Sequence, residues 1–480
     1  MIPRDYAGAA APDMSKRNPD RLKALVARFE DPTAAREDLY LSQEEFENLL
    51  SHYYDNFDYD RTLEVADLAI ERYVYSPEFY KWKALIHKIN MEEDHAFDAL
   101  EKLALYAPND EESLVLRLEV LIHFEHREEA RSVLERLQNE VTGDQKHSLL
   151  AFFDGLLLLQ EFRFPESFAA LREAVRLDPK QEPALEELLN APELVPFRKK
   201  LRPLFENLLA ADPFNDLLWY YNGLWYDDEG DDAAALDAFG NARALRSNPT
   251  YDLEYADKLF DLEHFAAALG AYSAYFEHPD AEQSYETNMR VGRSHQLLGD
   301  IPAAKRAFFR AIEVNAEPYD VFQHLAECFA SEEKWGVAAY NYGRAVEREG
   351  HTPECWLGLA LCHAATTEFE EADHAFRKAI ALDDRYSDAI VAYSIFLIEQ
   401  GEEQRALTQI ATALDEFEDA NLLYGAVAVH LMAQRRRTAL DLLNTALKEY
   451  YDLHELLLEF LPELHDDREV RALLDLYRPR

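Results

Sequence analysis

Apolar residues recur every three to four positions along almost the whole chain, the spacing that marks one face of an α-helix. The first such stretch carries Leu22, Leu25, Val26 and Phe29, behind the cap-forming Asn18-Pro19-Asp20, and Asp31-Pro32 ends it. Further on, VGRSHQLLGDIPAAKRAFFRAIEVNAEP reads as two helices around a turn. Gly292 lies in the first helix, Gly299 in the turn, and Ala304, Phe308 and Ala311 in the second. A step of 34 residues finds the same triplet again at Ala338, Tyr342 and Ala345, then at Ala372, Phe376 and Ala379. Stepping on and back gives twelve units, starting near residues 43, 77, 111, 148, 182, 216, 249, 285, 319, 353, 387 and 420. The first position of the triplet is Ala in nine units and the third in eight, so the register holds over some 400 residues.

The physical reason for such a register is packing. Two helices cross closely only where small side chains face each other, and the larger middle residue then fills the space against the next unit. A single hairpin leaves one apolar face uncovered, so neighbours must stack. The pattern predicts an all-α solenoid of about twelve helix-turn-helix units over 43–453. A tail at 1–18 is expected to be disordered, 19–42 to form a capping helix and linker, and 454–480 to form capping helices interrupted by Pro462. Unit five, with Pro183, Pro192, Pro196 and Pro203, breaks the pattern. Pro192 should stop its first helix early and Pro203 should kink its second. The result is either a locally irregular repeat or a change of direction at 182–213 that divides the array into two blocks.

Composition narrows the function. Of 480 residues, 48% are hydrophobic, enough for a continuous core. Lys+Arg is 49 and Asp+Glu 93, a formal charge of −44, which argues against nucleic acid and anionic membrane surfaces as partners. The acidity has two readings: an attraction for a basic partner, or an adaptation to a salt-rich cytosol, since only 15 of the 49 basic residues are Lys. The first residues lack the apolar run of a secretory signal, and no stretch nears the roughly 18–20 apolar residues of a membrane span. With only three cysteines there is no disulfide framework. The expectation is a cytoplasmic protein.

The 34-residue period resembles the tetratricopeptide repeat, whose pattern runs W-x2-L-G-x2-Y, A-x3-F-x2-A, then P. Trp219, Gly223, Tyr226, Gly230, Ala235, Phe239 and Ala242 match it, as do Trp356, Leu359, Ala372, Phe376 and Ala379, with closing prolines at Pro108, Pro179 and Pro213. The resemblance implies a right-handed superhelix. The two ends of the chain are also similar to those of bacterial, cytoplasmic, many-repeat proteins of this family, a group with no known catalytic activity. In the family the first helix of each unit lines the concave face. That places Phe152, Leu156, Tyr220, Tyr221, Leu224, Leu357, Leu361, Val391, Ile395, Ile398 and Tyr424 towards a groove, with Lys81, Arg290 and Arg293 as its few basic residues. Such a wall either takes an extended peptide or amphipathic helix or only packs against facing helices. Some members clamp a C-terminal carboxylate with repeated Lys and Asn. The corresponding slots here hold Glu47 and Ser51, Lys81 and Leu85, and Val115 and Glu119, so that function is not expected.

Catalytic and metal chemistry find little support. Cys328 and Cys362 occupy the same slot in adjacent units, the behaviour of core residues, and no C-x2–4-C spacing surrounds them. His351, His363 and His374 are close in sequence without a metal-ligand spacing. His87, His295, His363 and His430 fall where the family has Tyr, which reads as half-buried packing. There is no phosphate-binding glycine loop, no H-E-x-x-H and no nucleophile with a base beside it. The expectation is therefore a non-enzymatic scaffold without cofactor or metal, binding a protein partner that is basic or carries an amphipathic segment. The alternative is a regulatory or sensor subunit whose catalysis lies in another chain. RNA binding is disfavoured by the missing basic stripe.

Overall fold

The computed structural model describes residues 19–31, 40–140, 143–348 and 352–478. The expected tail at 1–18, most of the linker and His351 lie outside them. Among the described residues there is helix and turn but no strand. After the helix Pro19–Phe29 come twelve helix pairs in sequence order. In the first half they are Gln43–Asp55 with Tyr59–Arg72, Pro77–Ile89 with Glu93–Tyr106, Glu111–His123 with Arg127–Glu140, Asp144–Gln160 with Phe164–Leu177, Glu182–Asn190 with Arg202–Ala211, and Asp216–Asp228 with Asp232–Leu245. In the second half they are Pro249–Asp261 with Phe265–Phe276, Tyr285–Leu297 with Ile301–Val314, Asp320–Ser331 with Trp335–Glu347, Pro353–Ala365 with Phe369–Leu382, Ser387–Glu399 with Glu403–Glu416, and Ala420–Met432 with Arg436–Glu449. The chain forms two compact units, Met1–Ser247 and Asn248–Arg480, each holding six pairs.

The packing register is the one the triplets specify. The first-anchor residue of all twelve pairs has no accessible surface, from Thr62, Ala96 and Ala130 through Leu201 to Ala406 and Ala439. The close crossing is visible at the glycines of the first helices. A methyl group added to Gly223 would lie 2.6 Å from the Phe239 ring, and one on Gly292 would lie 2.4 Å from the Phe308 ring. The second-helix aromatic thus lies directly on first-helix backbone, which only glycine permits at this distance.

Eleven of the twelve pairs turn in the same way among the described residues. One residue takes a left-handed conformation, at Phe57, Met91, Glu125, Phe162, Gly230, Glu263, Gly299, Glu333, Thr367, Gly401 and Gln434. Its N–H and the next one close back on the helix: Gly230 N–H on the Asp227 carbonyl at 3.0 Å, Asp231 N–H on the Tyr226 carbonyl at 2.9 Å. This double closure ends a helix while satisfying its last carbonyls. Glycine fills the position only three times. In the other eight pairs a side chain bears a strain of roughly 1–2 kcal/mol.

The fifth pair has no such turn. Pro192–Leu201 is a 3-10 helix of 10 residues, long for its kind. Pro192 does end the preceding helix, at Asn190. The expected kink at Pro203 does not form, because Pro203 sits in the first turn of Arg202–Ala211, where its missing N–H would have had no helical acceptor. Leu194, Arg198 and Leu201 of the 3-10 segment are buried, Arg198 donates to Asp228 at 2.9 Å, and Trp225 donates to the Arg198 carbonyl at 3.1 Å. The segment therefore seals into the core of the first unit, and the two compact units part at Ser247/Asn248 rather than within 182–213.

Both ends are covered. Leu25 and Phe29 pack on the first pair beside Phe46 and Tyr53. Leu457, Leu464 and Val470, from the helices Glu455–Phe460 and Arg468–Tyr477 and the short turn between them, close over Tyr424 and Leu443.

Two substitutions test this packing by urea unfolding. Ala372→Trp is expected to destabilise the second unit by about 3 kcal/mol or more, because a fully buried crossing cannot admit an indole; unchanged unfolding would mean that the register is wrong. Thr367→Gly is expected to raise stability by about 0.5–1 kcal/mol, since it removes the left-handed strain of an exposed β-branched residue at φ 65°.

Candidate interaction face on the first helices

First helices of successive pairs pack side by side. In the first unit Pro77–Ile89 touches Glu111–His123, which touches Asp144–Gln160; in the second unit contact runs unbroken from Pro249–Asp261 to Ala420–Met432. Each unit thereby presents a layer of first helices. Polar links stitch the joints of these layers. Lys88 Nζ meets Glu119 at 2.5 Å, with both side chains only 3% exposed. Gln160 donates to the Ile122 carbonyl at 2.7 Å, and Asn421 donates to Asp388 at 2.5 Å.

Sequence-expected groove residues separate by burial. Phe152, Tyr221, Val391 and Tyr424 are core residues, and Leu156 and Leu357 are nearly so. They belong to the packed clusters between helices, so little of their surface reaches solvent. Tyr220 is half-buried, 5.2 Å from the Tyr221 ring and 6.2 Å from the Phe239 ring. Leu224, Ile395 and Ile398 are half-buried, and Leu361 is 46% exposed. The structure thus leaves Leu361 and its half-buried neighbours as the apolar part of the face.

The basic residues are already engaged. Lys81 Nζ lies 2.8 Å from Glu112, 3.1 Å from Asp110 and 3.4 Å from Glu78. Arg290 lies 3.3 Å from Asp257 and 3.4 Å from Asp261. Arg290 and Arg293 both stack over the Phe260 ring at 5.4 Å. Carboxylates, by contrast, are crowded. Burial and then the charge of Asp419 push the Asp388 carboxyl above its ordinary range. Burial does the same to Asp257, with Asp261 adding repulsion against the pull of Tyr272 and Arg290.

One group on this face escapes a pattern-based reading. Glu327 accepts from Gln296 at 2.9 Å and Gln323 at 3.1 Å and lies 3.1 Å from His324. Burial alone would raise its carboxyl, but these hydrogen bonds outweigh burial and hold it low. Glu119 and Glu327 share a repeat slot that elsewhere holds Leu85, Leu156, Leu224, Leu361 and Ile395. The same slot also holds Ser51, Asn190, Asp257 and Arg293, so its sequence pattern did not single out Glu327.

Stacked helix pairs with a shared turn define an α-solenoid of hairpin repeats. The model of the tetratricopeptide repeat matches residues 353–386, which is the tenth pair with the segment that follows it. The anchors and spacing of that pair recur in the other pairs, and its turn in all but the fifth, so the matched repeat is one of a series of like pairs. No curated protein matches the chain in sequence. Among solved structures it is similar to the APC/C hetero-tetramer Cut9-Hcn1, with 14% identity over 91% of this chain and 97% of that one and a TM-score of 0.36. A tetratricopeptide repeat protein from Parabacteroides merdae shares 16% identity over 57% and 98% of the two chains, with a TM-score of 0.40. YrrB, described as having an unusual peptide-binding site, shares 20% identity over 42% and 100%, with a TM-score of 0.35. Likenesses this distant carry no argument about function.

The cysteines are core residues. Cys328, Cys355 and Cys362 are free and buried. Burial pushes the Cys328 thiol up to about 12 and Cys362 up to about 11, and it raises Cys355 as well. Thiolate is the reactive form. At pH 8 the native protein is expected to leave all three thiols unreacted with a disulfide reagent such as DTNB over minutes and to react fully in urea. Rapid native labelling would show that this core opens.

Proposed function

We propose that the chain is a non-enzymatic, cytoplasmic protein-interaction scaffold. The first-helix face of its second unit takes a basic, amphipathic segment of a partner protein. The observation that carries this reading is the charge state of that face. In the second unit Arg290 is held by Asp257 and Asp261 and Arg293 stacks over Phe260, whereas Asp388 and Asp419 repel each other. A cationic side chain arriving beside Asp388 and Asp419 relieves that repulsion. Leu361 with Ile395 and Ile398, on the tenth and eleventh first helices, supplies apolar surface for the other side of an amphipathic segment. Three buried free thiols suit a reducing compartment. No helix among the described residues is long and apolar enough to cross a membrane.

Two designed helical peptides of one pattern, Leu/Lys and Leu/Glu, provide the test by surface plasmon resonance on the immobilised chain. The Leu/Lys peptide is expected to bind. Leu361→Ala should weaken it by on the order of 1–2 kcal/mol, mainly through faster dissociation. Asp388→Asn with Asp419→Asn should slow association several-fold at low salt and little at high salt. Equal binding of the Leu/Glu peptide, or full-strength binding by Leu361→Ala, would overturn the reading.

A further inference from the structure

The turn of the second helix pair brings together three groups that packing does not explain. The helix Pro77–Ile89 closes through Met91 in the left-handed conformation, and the Glu92 N–H bonds the His87 carbonyl at 2.8 Å. That closure sets the side chains of residues 87 and 92 next to each other. His87 Nδ1 and Glu92 Oε2 are 2.5 Å apart. The second helix starts at Glu93, so His95 comes round within its first turn, and its ring lies 5.1 Å from the His87 ring at 29°. One donor atom from each of His87, Glu92 and His95 lies within 4.8 Å of the other two.

Two details mark this turn. Glu92 occupies the N-cap position, yet its side chain makes no capping bond. Asp58, Asp231 and Asp300, at the same position of their own pairs, accept from the backbone N–H three residues on. The Glu92 carboxylate points back to His87 instead. His87 is also 7% exposed, and its Nε2 is buried without a hydrogen-bond partner.

Repetition supplies the internal comparison. His363 meets Glu368 at 2.6 Å and His295 meets Asp300 at 3.8 Å, so a histidine–carboxylate pair is a recurring lock of this turn. At the place of His95, however, those pairs carry Glu371 and Ala303. Among the described residues only the second pair gathers a third donor close enough for a shared ion.

We propose that His87, Glu92 and His95 form a binding site for a divalent cation of the zinc class, clipping the two helices of the second pair together. Two imidazoles and one carboxylate are a borderline nitrogen and oxygen set, suited to zinc over calcium or magnesium. Three protein donors leave coordination open, and because Glu92 and His95 are exposed that position faces water. Binding replaces the hydrogen bond between His87 Nδ1 and the Glu92 carboxylate with bonds from both to the ion, and a neutral His87 keeps its one ring proton on Nε2. The site is independent of the proposed interaction face.

Zinc ion alone is the probe, titrated into metal-stripped full-length protein against a chromophoric chelator, with the melting midpoint followed in parallel. The expected result is one equivalent bound well above the background of surface carboxylates, with a raised midpoint. His95→Ala and Glu92→Gln, both at exposed positions, should weaken that equivalent at least about tenfold, since even an outer-shell partner is worth that much. They should also remove the rise in midpoint while leaving the far-ultraviolet circular dichroism unchanged. His363→Ala should bind as the parent does. The absence of a distinct equivalent, or its survival in His95→Ala, would overturn the proposal.

Discussion

Everything in this molecule depends on how closely the two helices of a pair can cross. The first anchor has no accessible surface in any of the twelve pairs, whether it lies in the second helix or, at Leu201, at the end of the 3-10 segment before it. Where the facing residue is Gly223 or Gly292, an aromatic ring lies on bare backbone. A close crossing leaves each pair with apolar surface on both outer sides, and only another pair, or a cap, can cover it. The terminal helices around Phe29 and Val470 follow from the same requirement: without them the first and last pairs would expose core.

That dependence explains the tolerance shown at the turns. Eight pairs place a side chain in the left-handed region, among them aromatic Phe57 and Phe162 and β-branched Thr367. Each is unfavourable locally, and stacking of the neighbouring pairs holds it in place. The fifth pair goes further and abandons the turn. Its prolines forbid an ordinary hairpin, yet the 3-10 segment buries Leu194 and Leu201 and thereby keeps the stacking continuous through that point of the first unit.

Charge is arranged within the same frame. The net −44 is a property of the whole chain, but cations are not spread evenly. Lys81, Lys88 and Arg290 lie between first helices and bind carboxylates across the joints. Used in this way they stabilise the layer and leave its outer surface acidic. The exposed apolar contribution is local, at Leu361.

The sequence by itself determined the repeat, its register and the positions of the pairs. A 34-residue period of small and large residues survives any reading frame error of a residue or two, because one pair can pack only one way. It also marked the fifth pair as irregular, since proline restricts the backbone locally. What only the tertiary structure decided was depth. Phe152, Tyr221 and Tyr424 carry the same periodicity as Leu361, but neighbouring helices bury the first three and leave the last exposed. Periodicity tells which side of a helix a residue is on; it does not tell what covers that side. The boundary at Ser247/Asn248 and the gathering of His87, Glu92 and His95 lay out of reach for a related reason. The first follows from how contacts distribute over many pairs, and the second from the sharpness of one turn, and neither is a property of any residue taken alone.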